Sequence, residues 1–221
     1  MILRQFLRHD PVALSSMVGC VGHEAEAVIV ALFPIGPYLR TAEAGGTPIR
    51  FVIDIHLQAD HVSAGRALAE PTGAVHVLHE CAGAAFGFRV ARDGETLGLG
   101  EVTLSILRTP GHTLMVGDVG RTELAGDTAS GAPTLVASLA RLKAPPDHLE
   151  VSSGAFAGSV CGRGLSGKPV SAVGFERRFN EAFALTEENG FVDFMLANIP
   201  PPREAAAIRA RNAGLLPAKV A

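Results

Sequence analysis

Short apolar runs, separated by polar and glycine-rich stretches, mark the first part of the chain. Residues 2–7, 14–20 and 27–33 form three such runs in succession, and their length and turn-rich flanks predict three consecutive strands. Residues 49–55 are apolar and rich in β-branched side chains, which predicts a buried strand. The pattern therefore predicts a sheet whose first strands follow one another directly.

Helical patterns and further short strands alternate after this start. Helices are predicted over residues 38–44, 62–69 and 134–142. Strands are predicted over residues 75–78, 93–100, 102–107 and 148–151. Gly45-Gly46 is expected to end the first helix, and Pro133 suits the first turn of the third. Alternating strands and helices with three consecutive strands at the start favour a layered α/β or α+β fold.

The carboxyl-terminal part reads as helical from residue 175 onward. Breaks are expected at Asn189-Gly190 and at the three prolines 200–202. No linker divides the chain, so a single domain over residues 1–221 is predicted. Residues 200–221 form either a loose tail or a docked helix, and the pattern leaves both open.

Composition narrows the class of protein. Of the 221 residues 48% are hydrophobic and 19% charged, which excludes a disordered chain. The formal net charge of -3 does not favour binding to nucleic acid or to an anionic membrane, both of which attract positively charged proteins. No apolar run approaches the roughly 20 residues that span a bilayer. We expect no signal peptide, and three cysteines without paired spacing favour a reduced, cytoplasmic compartment.

Polar side chains that bind metals follow the predicted strand 49–55 directly. They are His56, Asp60 and His61, with Gln58 between them. Imidazole and carboxylate ligands suit zinc, iron or manganese, so this segment is a candidate metal site. In the alternative interpretation, Asp60 caps the helix that follows and the histidines are exposed. The spacing alone does not decide between the two.

A second histidine motif, Thr109-Pro110-Gly111-His112, follows the predicted strand 102–107. Proline and glycine make a tight turn that presents one histidine at the end of a strand. Together with the first histidine segment, this turn favours a shared site.

The glycine-rich stretch 162–168 has the spacing of a phosphate-binding loop. Such a loop requires Ser or Thr at the next position, where the hydroxyl binds Mg²⁺. Pro169 occupies that position, which argues against nucleotide binding.

These motifs together resemble the metallo-β-lactamase fold and, within it, the glyoxalase-II-like persulfide dioxygenases. The matching stretches are Tyr38-Leu39 and residues 54–65, 109–113, 116–124 and 157–169. The resemblance covers nearly the whole chain and implies a four-layer αββα sandwich. It also implies oxidation of glutathione persulfide by O2 to sulfite and glutathione at an iron site. Zinc or manganese, another small thiol, or a related thioester hydrolysis are the implied variants.

The resemblance assigns roles to individual residues. His56, His61 and His112 match metal-binding positions, and Asp60 matches the catalytic aspartate of the motif. Arg121 matches an arginine near the glutathione carboxylate, where a guanidinium forms a bidentate pair. A surface salt bridge is the alternative role for Arg121.

The motif is incomplete in this chain. Gln58 replaces the second histidine, and the hairpin that carries a liganding carboxylate is missing after Thr113. Asp118 is the predicted replacement ligand, and Asp127 is the alternative.

Two functions remain open at this point. One is a persulfide dioxygenase weakened by lost ligands, and the other is a non-catalytic relative without a competent metal that binds a thiol or a partner protein. The lost hairpin would also leave a sheet edge that a homodimer covers.

Overall fold

The structure is a computed structural model of the chain. It describes residues 1–20, 22, 25–111, 113–120, 128–159, 161–197 and 204–217, with the backbone alone at 128–130 and 132. These residues group into two compact units, each described separately below. The first unit comprises Met1–Arg8, Leu14–Arg108 and the segment from Ala206, and the second comprises His9–Ala13 and Thr109–Ala205.

Strands and helices have the following bounds. The strands are β1 (Ile2–His9), β2 (Val12–Cys20), β3 (Ala25–Ile29), β4 (Ile49–Ile53), β5 (Val75–His79), β6 (Arg89–Ala91), β7 (Thr96–Leu99), β8 (Val102–Ser105), β9 (Leu114–Met115), β10 (Asp118–Val119), β11 (Glu150–Ser152) and β12 (Val170–Ala172). The helices are α1 (Gly36–Gly45), α2 (Gly65–Thr72), α3 (Thr128–Lys143), α4 (Val173–Phe179), α5 (Glu181–Ala184), α6 (Glu188–Leu196) and α7 (Ala205–Asn212). A short 3-10 helix spans Glu80–Ala82.

A six-stranded mixed sheet is the core of the first unit. Its strand order is β1-β2-β3-β4-β5-β6, with β2 and β3 antiparallel and β3 to β6 parallel. Val52 packs with Tyr38 of α1 on one face, and Phe51 packs with Leu97 of the β7–β8 hairpin on the other. Both faces of β4 are therefore covered, which explains why its sequence is almost continuously apolar.

The described part of the second unit contains four helices and two small sheets. Its core contains Leu135 of α3, Phe183 of α5, and Phe191 and Met195 of α6. The pairs β9–β10 and β11–β12 are antiparallel. Where the sequence predicts a missing hairpin, β9 and β10 have only two residues each.

The predicted helices in the second unit need two corrections. Helix α3 begins at Thr128 rather than 134, so Pro133 lies inside the helix and not in its first turn. Helix α6 begins at Glu188, so Asn189-Gly190, where a break was expected, lie in its first turn. Phe191 and Met195 of α6 are buried, and burial of two large side chains outweighs the ~1 kcal/mol helix penalty of a glycine.

Two other expectations are resolved at the helix ends. Gly46, in a left-handed conformation with φ 63°, ends α1 as predicted. Of the two alternatives for the carboxyl terminus, the structure has the helix α7, and Asn212 in its last turn donates a hydrogen bond to the His61 carbonyl within the first unit. Within the described ranges no helix is both long and apolar enough for a membrane span.

Candidate functional site

Residues 56–61, here called the histidine segment, lie in the irregular stretch between β4 and α2. His61 is only 3% exposed, and its Nδ1 lies 2.8 Å from Oδ1 of Asp60. A carboxylate only accepts, so Nδ1 donates, and Nε2 is the nitrogen that carries the lone pair in the neutral form of the ring. Nε2 is buried and has no hydrogen-bond partner among the described residues. A carboxylate that orients an imidazole in this way is typical of a metal-binding histidine.

Asp60 does not cap the following helix. Helix α2 starts at Gly65, three residues later than expected, and its N-cap residue Ala64 has no side-chain group that accepts a hydrogen bond. The capping alternative for Asp60 is therefore wrong, because its carboxylate is directed to His61 instead. His61 is also buried rather than exposed.

His56 sits in an environment that disfavours a charged ring. Burial lowers the pKa of His56 below the ordinary 6.5, against smaller opposing effects of the Leu57 backbone and the Asp60 charge. The imidazole is therefore neutral over a wider pH range, and the neutral ring is the form that coordinates metals.

Gln58 occupies the position between these histidines. Its side chain is almost fully buried, and Nε2 has no partner in the part of the chain that the structure describes. An amide oxygen is a weaker ligand than imidazole for a transition metal. This position therefore contributes less to metal binding than a histidine would.

Asn212, at the end of α7, binds this segment through its side-chain amide. Its Nδ2 donates to the carbonyls of Gln58 at 3.0 Å and His61 at 2.8 Å, and its Oδ1 accepts from the Ser63 N–H at 2.9 Å. The sequence gives no local signal for this contact, because Asn212 lies 151 positions from His61.

Asp54 organises the same segment from the side of the sheet. Its carboxylate accepts from Ser63 Oγ at 2.8 and 2.9 Å and lies 2.9 Å from Nε2 of His76. A Cβ on Gly65 would lie 2.6 Å from both Asp54 Oδ2 and His76 Nε2, so a larger residue there would force one or both of these groups to shift. Sequence reasoning missed Asp54, although a carboxylate next to a buried strand was a usable signal.

The turn that leads to His112 is present in the second unit, whereas His112 itself lies outside the described residues. Gly111 has φ 84°, and a Cβ there would lie 2.5 Å from the Gly131 carbonyl oxygen. Ser138 Oγ donates to the Pro110 carbonyl at 2.8 Å. Helix α3 thus fixes the predicted tight turn. Arg121 and Asp127 also lie outside the described residues, so their predicted roles stay predictions.

Asp118 is engaged by backbone amides in the second unit. Its Oδ1 accepts from the Val119 N–H at 2.8 Å, and its Oδ2 accepts from the N–H groups of Arg163 and Gly164. Successive backbone N–H groups of this kind form an anion-binding concavity. The glycine-rich stretch that begins at Gly162 therefore holds a carboxylate of its own chain. These contacts do not support the predicted role of Asp118 as a metal ligand.

The donor groups do not add up to a complete metal site. Across the described ranges, no three His, Cys, Asp or Glu side chains are arranged to hold a metal ion. In the first unit His61 has the arrangement of a ligand, whereas Gln58 in the same segment supplies only an amide. The described residues alone therefore do not fit the metal centre that the resemblance implies.

Solved structures similar to this chain identify its fold. A metallo-beta-lactamase from Staphylococcus aureus subsp. aureus COL matches with a TM-score of 0.89 and 24% identity, covering 96% of this chain and 72% of that protein. ETHE1 from Myxococcus xanthus matches with a TM-score of 0.83 and 26% identity, covering 97% and 99%. The chain has the metallo-β-lactamase fold.

A further metallo-β-lactamase-fold match is TTHA1623 in a di-iron-bound form, with a TM-score of 0.64 and 20% identity, covering 80% of this chain and 98% of that one. No protein-family model and no curated protein sequence matches the chain. The expected fold and its resemblance to persulfide dioxygenases are confirmed.

Proposed function

We propose that this chain is a persulfide dioxygenase of low activity. Its substrate is glutathione persulfide or another small thiol persulfide in the cytoplasm, and its metal is iron. The overall reaction converts the persulfide, O2 and water to the thiol, sulfite and two protons. Arg121 is proposed to bind the carboxylate of the glutathione moiety.

The observation that carries this proposal is the similarity to ETHE1, a persulfide dioxygenase, over nearly the full length of both chains. The histidine segment supports it. The carboxylate of Asp60 orients the His61 ring, and Nε2 of His61 has no hydrogen-bond partner among the described residues. Burial lowers the pKa of His56, which favours the neutral ring that binds metals.

Low activity follows from the donor set. Gln58 supplies an amide where imidazole is expected, and Asp118 is occupied by backbone N–H groups. Neutral ligands offset the lost hydration of a divalent ion less well than a set that includes an anion. Weak metal retention is therefore the expected reason for a slow reaction.

A non-catalytic relative is the second candidate. It is favoured by the hydrogen bonds that the Asp118 carboxylate accepts from backbone N–H groups. It is also favoured by the lack, among the described residues, of three side chains arranged to hold a metal ion. In this case the protein binds a thiol without converting it.

Oxygen uptake with glutathione persulfide tests the proposal. The protein is produced in iron-supplemented medium and its metal content is measured by elemental analysis on the same sample. Persulfide-dependent uptake that disappears in His56→Ala and persists in the exposed-site control His148→Ala supports the dioxygenase. Absence of uptake from iron-loaded protein would reject it, and thiol binding in that sample would support the second candidate.

A further inference from the structure

The last turn of α7 delivers a buried amide to the histidine segment. Asn212 is 6% exposed, and its side chain makes three hydrogen bonds of 2.8 to 3.0 Å to the backbone of Gln58, His61 and Ser63. All four residues belong to the first unit. The contacts therefore span residues 58–63, the stretch that includes Asp60 and His61.

We propose that Asn212 is a positioning residue, which holds residues 58–63 in the conformation that keeps His61 against Asp60. The proposal rests on the proposed function only in giving that conformation a catalytic purpose. The carboxyl-terminal helix is then a part of the site and not an appended tail.

The chemistry of the contact requires an amide. Residues 58–63 are irregular, so their backbone groups lack the partners that a helix or a sheet supplies. Two carbonyls need donors and one N–H needs an acceptor, and the Asn side chain provides both kinds of group. An aspartate keeps the acceptor for Ser63 but places a carboxylate against the carbonyls of Gln58 and His61.

Other contacts hold the same end of the chain independently of Asn212. The Ala85 N–H donates to the Ala213 carbonyl at 2.7 Å, and Arg66 donates to the Arg211 carbonyl at 3.4 Å. Gly214 also packs closely against Phe86. Loss of the Asn212 side chain should therefore loosen residues 58–63 while the end of α7 stays docked.

Amide hydrogen exchange followed by NMR tests the positioning directly. We expect the Ser63 amide to exchange about tenfold faster in Asn212→Ala, which corresponds to the loss of about 1.4 kcal/mol of hydrogen bonding. In Asn212→Asp the Ser63 amide should stay protected while the His61 ring signals shift. Arg66→Gln is the matched control, which weakens the docking of α7 but leaves the Asn212 contacts in place.

A second readout connects the contact to the site. Oxygen uptake by the iron-loaded protein should fall in both Asn212 variants and stay near wild type in Arg66→Gln. Wild-type protection of Ser63 in Asn212→Ala would overturn the positioning role, and so would equal loosening in Arg66→Gln. If the wild type consumes no oxygen, the proposed function fails, and the exchange data alone still decide the positioning role.

Discussion

Oδ2 of Asp118 accepts the Gly164 N–H at 2.7 Å, across 46 positions of the chain. The same oxygen accepts the Arg163 N–H, and Oδ1 accepts the Val119 N–H. A carboxylate with three amide donors is a structural anchor. It ties β10 to the loop that follows Cys161 and leaves little capacity for a metal ion.

Replacing Asp118 with asparagine should therefore destabilise the protein. The new NH2 group faces backbone donors, and charge-assisted hydrogen bonds are lost, so we expect the free energy of unfolding to fall by about 2–4 kcal/mol. Urea denaturation measures this, with the exposed Asp193→Asn as a control close to wild type. Metal content per folded chain should not change. A decrease in bound metal in Asp118→Asn but not in Asp193→Asn would show that Asp118 is a metal ligand after all.

Gln58→His should increase the amount of metal that the protein retains. The side chain is buried and lies between His56 and His61 in the sequence, and an imidazole supplies the lone pair that the amide nitrogen lacks. Elemental analysis after dialysis measures the effect. Gln58→Leu is the matched control, since it fills similar space without a donor. Equal metal content in the two variants would mean that position 58 does not face the metal.

Protein stability should depend on pH through His56. Because burial lowers the pKa of His56 in the folded state, the unfolded chain binds a proton first as the pH falls. Stability is therefore fully present above about pH 6.5, the pKa of an unfolded histidine, and declines as the pH falls below it. Denaturation of metal-free protein across this range measures the dependence. His56→Gln should flatten it, whereas His148→Gln should not. A curve unchanged in His56→Gln would contradict the assignment.

Two glycine substitutions should have opposite effects on stability. Gly65→Ala places a methyl group 2.6 Å from Asp54 Oδ2 and His76 Nε2, so it should cost about 1–3 kcal/mol through overpacking. At Gly190, in the first turn of α6, an added Cβ would meet no described atom within 4 Å beyond its chain neighbours and the backbone of its own helix, so Gly190→Ala should stabilise by about 0.5–1 kcal/mol through helix propensity. Thermal unfolding compares the two. If Gly65→Ala stabilised the protein instead, the side chains of Asp54 and His76 would have to move aside at little cost in free energy.

Much of the secondary structure was predictable from local patterns. The apolar run that became β4 and the glycines that end α1 act within a few residues, so their effects are visible in the sequence. The predictions failed where a long-range contact outweighed a local preference. Gly190 lies inside a helix because Phe191 and Met195 of that helix are buried in a core.

The candidate site was predictable as a set of residues but not as a set of contacts. The spacing of His56, Asp60 and His61 pointed to one segment, and the structure places it between β4 and α2 as expected. The same spacing allowed Asp60 to be a helix cap. Only the coordinates show that its carboxylate binds His61.

The sequence by itself determined the first five strands, the helices that alternate with them, the histidine segment and the loss of an imidazole at Gln58. The tertiary structure decided which groups bind one another: Asp118 holds the Gly164 loop, and Asn212 holds residues 58–63. The reason is physical. Apolar periodicity and turn residues act locally, whereas each buried polar group takes whichever partner the folded chain brings within about 3 Å.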